Sequence, residues 1–257
     1  MQLTFYKYQG TGNDFVMIDN RQQIFDKKDT KRIAFLCDRR FGVGADGLIL
    51  LENHESFDFK MVYFNADGNE SSMCGNGGRC IVAFANFLGM ISNKATFEAI
   101  DGLHKATIEN SLVSLQMNDV TTIESYKTHV FLDTGSPHHV QLEDDLSTLD
   151  VKTIGREIRY NEPYNAAGCN VNFVSKKSNN NFLVRTYERG VEDETLSCGT
   201  GVTAVAIAMH CLGETEKTLI TLQTKGGDLK VSFKKNDYGY NNVLLIGPAT
   251  LVFKGNI

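Results

Sequence analysis

The chain has 257 residues, 42% hydrophobic and 22% charged, with a net charge of −5; this is an ordinary globular balance, long enough for one large core or two smaller ones. The lack of a basic tract argues against a nucleic-acid partner, and no apolar run approaches the roughly 20 residues of a membrane helix. The opening MQLTFYKYQG has no apolar signal core, so a cytoplasmic setting is expected, with the six cysteines reduced.

In chain order, GTGNDFV (10–16) comes first, a turn signal opening an apolar run. Residues Lys28–Arg39 then place Ile33, Leu36 and Cys37 at helical spacing. GVGADG (42–47) is a literal G-x-G-x-x-G, but it follows a predicted helix and enters LILL, a strand. A dinucleotide fold needs the reverse order, so nucleotide binding is excluded. FDFKMVYF reads as a strand and leads to SSMCGNGGRC (71–80), after which a helix is expected over Gly78–Phe87. NSLVSLQM is a further strand, and the polar residues 118–129 are the candidate linker. Beyond it NFLVRTY reads as a strand, SCGTG (197–201) opens a helix expected over Gly201–Leu212, and DLKVSF is a late strand.

The two halves repeat at an offset of about 123 residues. Thr11-Gly12-Asn13 aligns with Thr134-Gly135-Ser136, Gly68 with Gly190, Glu70 with Glu192, and Cys74-Gly75-x-Gly77 with Cys198-Gly199-x-Gly201. The expected architecture is α+β: two similar duplicated domains, 1–118 and 119–257, each with strands wrapped around a central helix and an active-site cleft between them. The last strand is free to return to the first half.

A glycine-rich turn opening a helix leaves backbone N–H groups pointing outward, and with the helix dipole they form an anion site. A cysteine at that point has its thiolate favoured. Two such motifs around one carboxylate would put a sulfur on each face of its α-carbon. Repulsion would settle the pair as one thiolate and one thiol, a base and an acid. Such a pair inverts a stereocentre. Cys74 and Cys198 are therefore the expected acid/base residues of a racemase or epimerase acting next to a carboxylate. Cys37, Cys80, Cys169 and Cys211 read as buried small hydrophobes. No C-x₂₋₄-C pair suggests zinc.

GTGNDFVMID, NADGNESSMCGNGGRC, YERGVEDETLSCGTG and the closing GPA resemble the diaminopimelate epimerase family over the whole chain. The resemblance implies a two-domain, cofactor-independent isomerase with neither pyridoxal phosphate nor metal. It implies a homodimer that interconverts LL- and meso-diaminopimelate for lysine and cell-wall synthesis. It assigns Cys74 and Cys198 to acid/base work and the Gly75-Asn76 and Gly199-Thr200 amides to the reacting carboxylate. Asn13, Asn65, Asn170 and Arg189 fall to the substrate's polar ends, with Glu188 and His138 near the cysteines. Taken alone, Asn13 and Asn65 would read as turn formers, Glu188 with Arg189 as a surface ion pair, and His138 as a solvated turn histidine. Proline and hydroxyproline racemases are similar in architecture, but their first motif resembles M-C-G-H-G, where Asn76 stands here. A non-catalytic binding protein on this fold is the other alternative, though it would not need a thiol at both helix starts. Two positions depart from the family pattern: Gly47 stands for a common glutamine, and Ser136 for a common asparagine.

Overall fold

A computed structural model of the chain describes residues 2–71 and 73–257. The chain forms two compact units, one running to Leu115 and including Gly247–Ile257, the other spanning Gln116–Ile246.

In the first unit, β1 (Thr4–Gly10) and β2 (Asn13–Asp19) form a hairpin closed by Thr11 and Gly12, both at positive φ. That backbone matches the twist of the strands it joins, and glycine adopts it freely. Helix α1 (Thr30–Cys37) follows, its first turn capped by the Asp29 side chain, which accepts from the Arg32 N–H. Strand β3 (Gly47–Glu52) lies parallel to β2, and β4 (Phe59–Asn65) antiparallel to β3. Helix α2 (Gly75–Phe87) then crosses to β5 (Lys94–Ala99), parallel to β4. Strands β6 (Gly102–Glu109) and β7 (Leu112–Gln116) complete a meander.

The second unit repeats this plan. β8 (Ile123–Ser125), β9 (Val130–Asp133) and β10 (Pro137–Leu142) are antiparallel neighbours. Helix α3 (Val151–Tyr160) crosses to β11 (Asn170–Ser178), parallel to β10. β12 (Asn181–Glu188) returns antiparallel and carries the short β13 (Asp193–Thr195). Helix α4 (Gly199–Cys211) crosses to β14 (Leu219–Thr224), parallel to β12. β15 (Gly227–Asn236) and β16 (Gly239–Pro248) close the meander, and β17 (Thr250–Asn256) pairs with β1 in the first unit. The α+β class and the duplication both hold, helix for helix: α1 corresponds to α3 and α2 to α4.

Three expectations need correction. Helices α2 and α4 begin at Gly75 and Gly199, directly after each cysteine, rather than at Gly78 and Gly201. Glycine here also serves close packing: a Cβ on Gly77 would lie 3.1 Å from Ile49 Cδ1, and one on Gly78 2.9 Å from Leu115 Cδ2. Residues 118–129 are not a free linker; they contain β8, and Val120 bridges to Tyr240. Cys211 is exposed at the end of α4, whereas Cys37, Cys80 and Cys169 are buried as expected.

Helix α3 was not anticipated. Val151, Ile154 and Ile158 line its apolar side, packing with Val171, Phe173 and Tyr187, but Gly155 in its middle disfavours a helix by about 1 kcal/mol. The glycine is required by Tyr187, whose Cβ would lie 2.4 Å from an added Cβ. None of the described helices is long and apolar enough to cross a membrane.

Candidate functional site

Each cysteine is the N-cap residue of a 13-residue helix. Cys74 (φ −99°, ψ 129°) precedes α2 and Cys198 (φ −122°, ψ 115°) precedes α4. The extended backbone turns each residue out of the helix path while the following amides stay at its N-terminus, where they favour an anion. Both helices are almost wholly buried by their own unit's strands, so each thiol sits where a core helix emerges. Cys74 is half-buried and Cys198 buried.

In the first unit Asn13, which opens β2, accepts from the Cys74 Sγ–H at 3.4 Å and from Asn76 Nδ2 at 3.3 Å through its Oδ1. Its Nδ2 donates to Asp46 Oδ2 at 2.6 Å. A carboxylate only accepts hydrogen bonds, so Asp46 fixes which end of the Asn13 amide faces the cysteine. Asp46 is held in turn by Arg39 at 2.7 Å, and Arg39 also pairs with Asp14. Asp14 sits at about 2: burial would raise it, but the Arg39 and Lys7 side chains outweigh burial. Asn65 stands apart from this cluster, exposed at the end of β4, where it opens a turn closed by the Gly68 N–H on its carbonyl. It lies opposite Gly47 in register. A Cβ on Gly47 would be 2.6 Å from the Tyr63 ring; the departure at 47 thus goes with a tyrosine ring filling that space.

The second unit holds Cys198 Sγ 3.4 Å from Thr200 Oγ1, and the Thr200 carbonyl accepts from Thr134 Oγ1 at 2.9 Å. His138 is not a solvated turn residue. It lies on β10, fully buried, and burial, with Arg189 adding to it, lowers its imidazole to about 3. It is therefore neutral, and its Nδ1 meets Asn172 Nδ2 at 3.1 Å. Asn172 also donates to the His139 carbonyl and accepts from Thr186 Oγ1. A Cβ on Gly201 would lie 2.5 Å from Asn172 Oδ1 and 3.3 Å from Cys198 Sγ. Gly201 thus lets the Asn172–His138 pair close in beside the cysteine.

Asn170, Ser136 and Arg189 form one group. Asn170 Nδ2 donates to Ser136 Oγ at 2.9 Å, and its Oδ1 accepts the Arg189 backbone N–H at 2.9 Å. The Arg189 guanidinium donates to the Ala167 carbonyl and, at 3.4 Å, to Ser136 Oγ. The departure at Ser136 is thereby accommodated: its hydroxyl is the hub of the group. Glu188 ends β12 beside Arg189, and its carbonyl accepts the Glu192 N–H.

Sequence reasoning passed over two residues. Asn172 is one strand step beyond Asn170, and that i, i+2 pair of asparagines in an apolar strand was the signal. Arg79 is a fully buried guanidinium on α2, signalled by a lone charge in an apolar helix.

Duplicated α+β units, each strands around a central helix, recur in solved structures. Over 100% of this chain and 99% of its own, a Bacillus anthracis phenazine biosynthesis protein of the PhzF family superposes with a TM-score of 0.80 at 12% identity. A hydroxyproline epimerase from Agrobacterium vitis does so with a TM-score of 0.67 at 14% identity, over 100% of this chain and 92% of that one. Both likenesses are of fold alone. Sequence narrows the class: the chain belongs to the diaminopimelate epimerase family, whose profile matches residues 5–123 and 130–252. A diaminopimelate epimerase from Flavobacterium psychrophilum is 60% identical over 99% of this chain and all of its own length.

Proposed function

We propose that the chain interconverts LL- and meso-diaminopimelate by cofactor-independent inversion at an α-carbon, with Cys74 and Cys198 as the two acid/base groups. One observation carries this reading: both units place a cysteine as the N-cap of a buried, glycine-opened helix. The reacting carboxylate lies against the Gly75-Asn76 and Gly199-Thr200 amides. One sulfur, as thiolate, takes the α-proton from one face. The carbanion that results is spread into the carboxylate, whose growing charge the amides stabilise. The other sulfur, as thiol, returns a proton to the opposite face. After one turnover the two cysteines have exchanged roles, which suits a reversible reaction.

Asn13 and Asn65, with Asn170 and Arg189, take the polar ends of the substrate, while Ser136 braces the latter pair. Neutral His138 and Glu188, which match family positions near the catalytic cysteines, act as supporting groups. An arginine and several amides suit a substrate with a second charged end better than a proline ring, which has none. The test is an epimerisation assay without added cofactor, run with diaminopimelate isomers and with L-proline. Turnover of diaminopimelate alone is expected; turnover of proline alone would transfer the chain to the ring racemases, and neither would favour a binding protein.

A further inference from the structure

Arg79 lies five residues into α2 from Cys74, and no part of it reaches solvent. Its guanidinium donates to the Gly75 carbonyl (3.3 Å), Thr11 Oγ1 (3.1 Å) and the Pro248 carbonyl (3.4 Å). All three acceptors are neutral. Among the described residues no carboxylate pairs with Arg79, although the chain forms such pairs elsewhere, as at Arg185 with Glu194. Burying a cation without an anion is strongly unfavourable, and a fold that retains one has a use for its field.

The nearby groups identify that use. On its own helix Arg79 is adjacent to Cys80, which is sealed in the core; burial pushes that thiol up to about 12 despite the arginine. From β1, Tyr8 keeps its proton because burial pushes its phenol upward. From β2, Asp14 is already satisfied by Lys7 and Arg39. Asp46 reaches the site only through Asn13. The remaining group is Cys74, whose neighbour Gly75 is bonded directly to the guanidinium.

We propose that Arg79 is a positioning residue of the reaction, a buried cation that stabilises the thiolate of Cys74 from inside the helix that Cys74 caps. This rests on the acid/base role given to Cys74 above. Ionisation releases the thiol proton to solvent and leaves the sulfur's charge at the start of the helix that carries the guanidinium; the two charges attract, and burial strips the cation of competing water. The Asn13 carbonyl opposes this by accepting the thiol proton. However, S–H is a weak donor, whereas a full opposite charge nearby lowers an acid by about 1–3 pH units; the charge prevails. In the second unit the equivalent position is Thr203, whose hydroxyl donates to its own helix carbonyl at Gly199. With no arginine at that point of α4, the added cation makes Cys74 the cysteine that ionises first.

The test is the pH dependence of iodoacetamide alkylation at Cys74 and Cys198, read peptide by peptide by mass spectrometry without substrate. In the unaltered protein Cys74 should titrate at least one pH unit below Cys198. Arg79→Met should raise the Cys74 midpoint by about 1–3 units and leave Cys198 in place, while Arg79→Lys, which keeps the charge, should restore most of the shift. A Cys74 midpoint at or above that of Cys198 in the unaltered protein overturns the proposal even if neither variant folds. Equal midpoints in Arg79→Met and Arg79→Lys overturn it as well. Alkylation needs no turnover, so these outcomes are independent of whether diaminopimelate is the substrate.

Discussion

Mild acid should destabilise the second unit selectively, because it buries two histidines as neutral groups. Burial, with Arg189 adding to it, lowers His138 to about 3. Burial also lowers His139 to about 4, against a smaller opposing effect of its Gln141 hydrogen bond. In the unfolded chain both regain the ordinary value near 6.5. Their native values are depressed, so below pH 6.5 the unfolded state takes up protons that the native state refuses, and stability falls as pH falls. The contribution is complete above about pH 6.5 and is lost progressively towards pH 3–4. Each histidine loses about 1.4 kcal/mol per pH unit, so moving from pH 7.5 to 5 costs about 2 kcal/mol per group and ~4 kcal/mol in all. His129 and His210 are lowered in the same direction, each by burial first, and both also belong to the second unit. Hydrogen exchange read by mass spectrometry at the two pH values, corrected for intrinsic rates, measures the loss by segment. Peptides from β10, β11 and β12 should lose protection by orders of magnitude, with β2, β3 and β4 as internal controls. Equal loss in both units, or none, would refute the reasoning.

Gly155→Ala should destabilise the protein by about 1–2 kcal/mol in a urea titration, because overpacking against Tyr187 exceeds the ~1 kcal/mol gained in helix propensity; an increase in midpoint would contradict the packing account. Asp46→Ala frees the Asn13 amide and should lower kcat/KM for epimerisation by about tenfold, equivalent to ~1.4 kcal/mol. Global stability should change by under ~1 kcal/mol, since the Arg39–Asp46 pair is exposed. Unchanged kcat/KM would remove Asn13 from the site.

The repeat and the two cysteine motifs were legible in the sequence because the physics there is local: a thiol and several glycines at a helix start serve one purpose, and the pattern occurs twice. The helix starts were read three and two residues late because glycine normally signals a turn, whereas here glycines are the first helical residues and Gly77 and Gly78 pack closely against Ile49 and Leu115. Helix α3 was hidden by Gly155, whose reason is Tyr187 on a strand far along the chain. His138 illustrates the same limit. SPHH reads as a polar turn, yet β10 lies between β9 and β11, and its neighbours bury the imidazole completely. The Asp46–Asn13–Cys74 chain joins three separate segments, and no spacing rule links them. The resemblance supplied Asn13 but not the carboxylate that orients it.

The most direct test of a two-base inversion is the fate of the α-hydrogen in heavy water. Starting from LL-diaminopimelate, one cysteine removes protium while the other, already exchanged with solvent, delivers deuterium to the opposite face. Early product should therefore carry deuterium at the inverted carbon while recovered substrate carries almost none, and alanine at either Cys74 or Cys198 should abolish inversion in both directions. Product that retains the original protium, or a single-cysteine variant that epimerises at near the unaltered rate, would contradict the account.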